Sequence, residues 1–416
     1  MSFIERMICA KCRTEYEPTS APENDGCGGR IDIYLNIEAL KENLSKQELI
    51  ARGNSPWKYF ELLPIFEKVN FITLGEGNTP LLKSDRFART LGLKHLYWKV
   101  ETQNPSGSFK DRPISVGVSK AVENGSKTVV SASSGNAAAA MATYGAKAGL
   151  EVVVFVPEHA PADKITQLLF LGAQVFRIAR DAEPGDPAFT LLTKAYQAYG
   201  WTPIPSMGPF NCWQFEGNKT IGYEVAEQMG WKVPDWMLFP TGSGGHLAGT
   251  MKGFKEFNDM GFIEGLPRAV AVQPTGCAPV VQAIQERRDP FEIVAWGPPQ
   301  TIAGGLADLF PWDGDAAVTM IRESQGTAVA VTDEEILRVQ RELARLEGVF
   351  GEPSGVAGIA GLKSLIEAGV IDPTDTVVVT ITGIGFKDTR ILEQQTGKAP
   401  VIAPSLEALE KVLQKS

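Results

Sequence analysis

Two α/β domains, each built on a central and largely parallel sheet, are the fold that this sequence predicts. Three observations carry the expectation. From Thr128 onwards, short apolar stretches alternate with helical ones, and such alternation means parallel strands joined by right-handed helical crossovers. The strand-like stretches are near-continuously apolar, as strands covered on both faces must be. The 416 residues leave room for two domains of roughly 150 residues each, with a small appendage.

Residues 1–35 read as that appendage, a short Cys-containing segment. Cys9-Ala10-Lys11-Cys12 is a C-x-x-C knuckle, and Cys27-Gly28-Gly29 looks like half of a second one. A structural zinc ribbon takes four ligands, and this stretch offers Cys9, Cys12 and Cys27 with no histidine nearby. Asp25 or a water would complete a degenerate site. The reading preferred on sequence is a metal-free remnant with reduced thiols, so no metal is assigned. A thioredoxin-type redox role does not fit, because no βαβ pattern surrounds the knuckle. Residues 36–70 form a connector, with a helical run over 40–50 and a proline-bracketed apolar stretch, Pro56 to Pro64, expected to pack on the main body or on a second subunit of a homodimer.

The main body follows. A turn at Leu74–Leu81 leads to a strand over 96–100, which delivers the chain to Asn104-Pro105-Ser106-Gly107-Ser108-Phe109-Lys110-Asp111-Arg112. A helix is expected over 114–122, with Ser108 as its N-cap and Lys110 in its first turn. The alternation then runs strand 128–133, helix 137–148, strand 151–156, helix 162–171 stopped by Gly172, strand 174–178 and helix 187–199. It resumes with helix 220–229, strand 236–239, helix 247–257 and strand 269–273. Near the end, Thr332 and Glu335 form a capping box before Ile336, Val339, Leu343 and Leu346 at helical spacing, a core stripe. Strand 376–382 closes the pattern.

Composition narrows the function. With 44% hydrophobic and 21% charged residues, the chain has an ordinary globular balance. Its net charge of −9 leaves no basic excess to neutralise phosphates, which argues against nucleic acid or an anionic membrane as partner. No apolar run approaches the roughly 18 residues of a membrane span. The first residues carry Glu5 and Arg6 without an apolar signal core, so a cytoplasmic protein is expected. Five cysteines do not suggest a disulfide framework, and His95, His159 and His246 give a triad or His-rich metal site little to work with.

Lys110 is the reactive candidate. The start of a helix is the wrong end for a cation, and burial beside Phe109 disfavours the ammonium further. Both effects favour the neutral amine, the form that attacks an aldehyde to make a Schiff base. The plainer reading is a surface lysine offset by Asp111. A second candidate is Thr241-Gly242-Ser243-Gly244-Gly245-His246, a glycine-rich turn between strand and helix whose N–H groups suit a phosphate. It competes with a dinucleotide fingerprint. Gly242 and Gly244 fit G-x-G-x-x-G, but position 247 is Leu and the next strand ends at Gln273 rather than at an acid. An NAD-dependent oxidoreductase is therefore a distant second reading. A third candidate is Ile381-Thr382-Gly383-Ile384-Gly385-Phe386-Lys387-Asp388, a strand end running into a glycine turn.

Taken together, these strings resemble fold-type-II pyridoxal-phosphate enzymes of the tryptophan synthase β superfamily, and most closely the threonine synthases. The lysine string resembles N-P-T-G-S-F-K-D-R, and the last string resembles L-T-G-x-G-x-K-D. The resemblance spans about residues 70–390 and implies pyridoxal 5'-phosphate as cofactor, a small amino acid as substrate and the cofactor lying between two domains. It divides the chain into a large cofactor-binding domain (71–114 and 211–400), a small domain (115–210) and a tail (401–416). By position it implies Lys110 as the catalytic and cofactor-holding lysine, beside Phe109. Gly242, Ser243, Gly244, Gly245 and His246 would cradle the phosphate, Asn136 would meet the ring oxygen and Thr382 the ring nitrogen. A neutral hydroxyl at that nitrogen implies elimination or replacement rather than transamination. Substrate contacts would come from Thr79, from Ser133, Ser134, Gly135, Asn136 and Ala137, and from Gln214. A relative that keeps the fold but has lost catalysis is the other class to weigh, and retention of Lys110 argues against it.

At the substrate end the sequence departs from the threonine synthases. Their R-L-E-G-Q-K-T arginine and the last threonine of S-T-G-N-T contact the substrate phosphate, and here those positions hold Gln214 and Ala137. Glu352-Pro353-Ser354-Gly355 looks more like the E-P-S-G of threonine and serine dehydratases. The expectation is a lyase on a small amino acid whose leaving group is not a phosphate, as in a dehydratase or ammonia-lyase. Formation of threonine from O-phosphohomoserine, with Lys219 or another lysine compensating, is the alternative.

Overall fold

The computed structural model describes residues 3–54, 57–179, 186–396 and 398–413. Met1 and Ser2 of the first segment, Pro56 of the connector, residues 180–185 of the expected small domain and residues 414–416 of the tail lie outside them.

Three sheets organise the described residues. The largest has six strands in the order Thr327–Val331, Arg268–Pro274, Trp236–Pro240, Thr376–Ile381, His95–Val100 and Leu81–Ser84. All its pairs are parallel except the edge pair of Leu81–Ser84 with His95–Val100. Its central strands face two cores at once. Met237, Phe239, Ala269 and Ala271 point to one, while Trp236, Leu238, Val270 and Val272 point to the other. Side chains alternate faces along a strand, so burying both faces needs an unbroken apolar run. A second sheet, all parallel, runs Gln174–Ile178, Glu151–Pro157, Thr128–Ala132 and Thr202–Pro203. The strands before and after it in the chain combine in the larger sheet. The third is small and antiparallel, Glu15–Tyr16, Ile4–Cys9 and Ile31–Leu35.

The structure adjusts several expected boundaries. The run over 40–50 is two helices, Ile37–Asn43 and Lys46–Ala51, because Ser45 and Glu48 form a capping box that starts the second. The helix after the lysine string is Asp111–Glu123, and Lys110 is its flanking residue rather than part of its first turn. Ser108 is not its cap. It is held in a bridge to Gly383, which brings the lysine loop against the end of Thr376–Ile381. The connector packs on the main body: Tyr59 lies 5.1 Å from Tyr223 and donates to Glu227 at 2.7 Å. The capping box at Thr332 and Glu335 forms as expected. No helix among the described residues is long and apolar enough to cross a membrane.

Candidate active site

The C-terminal ends of strands from both large sheets open on one cleft of about 420 Å³, the place where open α/β sheets bind ligands. Ser133–Ala137 follow Thr128–Ala132, Thr241–His246 follow Trp236–Pro240, and Thr382 follows Thr376–Ile381. All these segments line the cleft with Phe109 and Lys110, although Gly245 itself sits behind the surface at the start of the helix Gly245–Asp259.

Lys110 is half-buried and its Nζ donates to Ser206 Oγ at 2.9 Å. Burial pulls the lysine below its ordinary range, against the opposing pull of the Asp308 and Asp313 carboxylates. Asp111 does not neutralise it. That carboxylate turns away to accept from the backbone N–H of Ser106 at 2.6 Å and from its hydroxyl. Burial thus favours the neutral amine, as expected, but the lysine flanks its helix rather than opening it.

The glycine turn has the shape of an anion cradle. Gly244 sits at φ +101°, and a Cβ there would come within 2.8 Å of Asp313 O. A Cβ on Gly245 would meet Asp313 Oδ2 at 2.7 Å, and one on Gly242 would meet Asp308 Oδ2 at 2.8 Å. Only glycine lets the backbone approach this closely, and the 15-residue helix that follows aims its first N–H groups here. Two buried acids adjoin the turn. Burial raises the Asp313 carboxyl to about 7 and that of Asp308 to about 6, so at neutral pH Asp313 is about half protonated while Asp308 stays mostly ionised. Asp313 Oδ2 is buried without a hydrogen-bond partner. His246 is buried between Phe109, at 4.5 Å, and Phe239, at 5.2 Å, and burial lowers it to about 3. It is therefore a neutral ring in the wall and brings no positive charge to a phosphate. These residues fit a phosphorylated cofactor: a glycine cradle, a helix start and an amine of lowered basicity.

Two residues expected at the substrate lie elsewhere. Thr79 is buried outside the cleft, donating to Glu101 at 2.6 Å and accepting from Arg112 at 3.1 Å. Gln214 is also buried behind the cleft. Its amide donates to Met207 O at 3.1 Å and accepts from Ser206 N at 3.0 Å, so it braces the turn that holds the partner of Lys110. Lys219 is likewise unavailable, since its ammonium is held by Leu62 O, Glu216 and Glu256.

Sequence reasoning missed Ser206, Asp308, Asp313 and Lys164, none of which stands in a recognisable string. Lys164 and Asp308 line the cleft. Glu352 and Ser354 also line it and had a signal, the E-P-S-G string. Glu352 Oε1 accepts from Asn136 Nδ2 at 2.6 Å, which ties the start of the helix Asn136–Ala148 to the larger sheet's half of the site.

A family model described as pyridoxal-phosphate-dependent enzyme matches residues 72–383. Threonine synthase from Methanocaldococcus jannaschii is 36% identical over 408 residues, covering 98% of this chain and 99% of the relative. Threonine synthase from Methanosarcina acetivorans is 38% identical, covering 97% and 98%. Among solved structures, the processed form of threonine deaminase isoform 2 from Solanum lycopersicum superposes with a TM-score of 0.65 at 22% identity, covering 85% of this chain and 95% of that one.

Proposed function

We propose, from the premise that this chain belongs to the family of pyridoxal-phosphate-dependent enzymes, that it eliminates or replaces a side-chain substituent of a small amino acid that carries no phosphate. It is a threonine-synthase-like lyase, and the substrate is the step proposed. The observation that carries the proposal is Gln214. The position where the resemblance puts a phosphate-binding arginine holds a neutral amide, buried outside the cleft with both ends occupied. Ala137, which does line the cleft, offers no hydroxyl. A charge-assisted hydrogen bond contributes about 1.5–3 kcal/mol, so losing the arginine alone weakens phosphate recognition about tenfold or more.

Pyridoxal phosphate, when bound, supplies an aldehyde and an electron-withdrawing ring. The chain supplies the rest. In this reading Lys110 would hold the cofactor through its Nζ and would move the Cα proton of the substrate, with Ser206 Oγ steering the amine. Gly242 to Gly245 and the helix start would hold the phosphate, and Thr382 would offer the ring nitrogen a neutral hydroxyl. The first residues of the helix Asn136–Ala148 receive the substrate carboxylate.

A second reading, conversion of O-phosphohomoserine to threonine, is favoured by the near-full-length identity to threonine synthases and by Lys164 in the cleft lining. Steady-state comparison of O-phosphohomoserine with serine, threonine and other β-substituted amino acids decides between them. Turnover of an unphosphorylated amino acid is expected, and efficient threonine formation from O-phosphohomoserine sinks the first reading. Lys110→Ala should abolish both turnover and the cofactor's visible absorbance. A variant that kept its activity would put the chemistry elsewhere.

A further inference from the structure

We infer that the N-terminal sheet carries a structural site for one thiophilic divalent cation, of which zinc is the type, formed by Cys9, Cys12, Cys27 and Asp25. The sequence counted three thiols, offered Asp25 or a water to complete the set, and favoured a metal-free segment. The fold brings Asp25 to the three thiols. One ligand atom from each residue, three Sγ and a carboxylate oxygen, lie within 4.8 Å of one another.

The separations suit a small tetrahedral ion. With metal–sulfur bonds of about 2.3 Å and metal–oxygen bonds of about 2.0–2.2 Å, ligands stand about 3.8 Å apart for two sulfurs and about 3.5 Å for sulfur and oxygen. Cys9 Sγ lies 3.5 Å from Cys27 Sγ, and Cys12 Sγ lies 3.2 and 3.4 Å from the two oxygens of Asp25. A shift of a few tenths of an ångström would admit the ion.

The surroundings orient the sulfurs. Backbone N–H groups point at two of the sulfurs: Cys12 N at Cys9 Sγ, 3.5 Å, and Gly29 N at Cys27 Sγ, 3.3 Å. Gly29 permits that approach, because a Cβ there would stand 2.7 Å from Cys9 Sγ and 3.2 Å from Cys27 Sγ. Asp25 is aimed as a ligand is. Tyr16 donates to one oxygen at 2.6 Å and Cys27 N to the other at 3.1 Å, fixing the carboxylate as partners outside a coordination sphere do. A disulfide between Cys9 and Cys27 would explain one short distance. It would leave unexplained why Cys12 and an oriented carboxylate complete a four-cornered cluster. One carboxylate replacing a fourth thiolate selects zinc-like ions over the all-sulfur sites of iron.

The site lies in the appendage, away from the cleft, and its role is to close a three-stranded sheet too small to supply much core of its own. The test uses the full-length holoenzyme purified without chelator. Elemental analysis should find about one zinc per chain, separate from the cofactor count. Cobalt substitution should give the intense visible bands of tetrahedral thiolate ligation. Asp25→Ala, measured by competition with a chromophoric chelator, should bind zinc at least tenfold more weakly while retaining the cofactor's absorbance. Three results would overturn the inference: less than a tenth of an equivalent of zinc after anaerobic incubation with zinc alone, a Cys9–Cys27 disulfide in the purified protein, or unchanged affinity in Asp25→Ala.

Discussion

The basicity of Lys110 is set by its surroundings. Burial disfavours its ammonium, while the Ser206 hydroxyl and the Asp308 and Asp313 carboxylates favour it. The net shift is downward, so the free amine forms below the ordinary lysine range. Activity should therefore rise with pH through that lowered value. Ser206 accepts a hydrogen bond from the charged form, so Ser206→Ala should lower the amine further. The acid limb of the rate profile should move to lower pH while kcat falls severalfold, because the amine is no longer steered. A limb that moved to higher pH would show that Ser206 does not hold the ammonium. The lysine itself was legible in the sequence, since it stands in a nine-residue string. Ser206 was not, because it reaches Nζ from 96 residues away through a turn at φ +66° that Gln214 braces. The same brace explains why Gln214, placed at the substrate by alignment, sits behind the cleft.

Elements are locked around the site by one buried guanidinium. Arg112, on the helix Asp111–Glu123, meets Glu101 at 2.7 Å just beyond the strand His95–Val100 and Glu224 at 2.7 Å on the helix Lys219–Gln228. Lys99 adds a third cationic contact to the cluster, 2.7 Å from Glu224. Burial alone would raise these carboxyls, yet Arg112 holds both Glu101 and Glu224 below the usual range. Removing one partner of such a buried cluster costs about 3–5 kcal/mol, because the others stay desolvated and unpaired. Arg112→Met should lose that much in urea denaturation. A loss below about 1 kcal/mol would mean that the charges are solvated rather than locked. The sequence showed Arg112 only as the last letter of the lysine string, and Thr79 as an entry to the active site. Both belong to this lock, which joins residues more than 100 positions apart and has no local signature.

Across the whole molecule, alternation revealed the two parallel sheets, because burial on both faces writes itself as unbroken apolar runs. It did not reveal the edge strands Leu81–Ser84 and Thr327–Val331, both partly in solvent, or the two-residue strand Thr202–Pro203. Nor did it show how the appendage is fastened to the catalytic body. That join runs through Arg30, which meets Asp32 at 2.8 Å and Asp315 at 2.9 Å and packs over the Phe215 ring. Arg30 also lowers the carboxyl of Asp313, which burial nevertheless holds at about 7. The consequence for stability has a definite sign. A carboxyl raised on folding favours the native state below its unfolded value near 3.8, and that contribution is lost as pH rises through about 7. Without Arg30 the folded value climbs further, and ionised Asp313 has no cation to offset it. Arg30→Met should therefore destabilise the chain modestly near pH 5.5, where Asp313 is still largely protonated. The deficit should grow by about 1 kcal/mol or more by pH 8.5, the scale of one charged hydrogen bond. Urea unfolding at the two pH values measures it. An equal deficit at both would show that Arg30 ties down only Asp32 and Asp315, with no reach to the acid beneath the glycine turn.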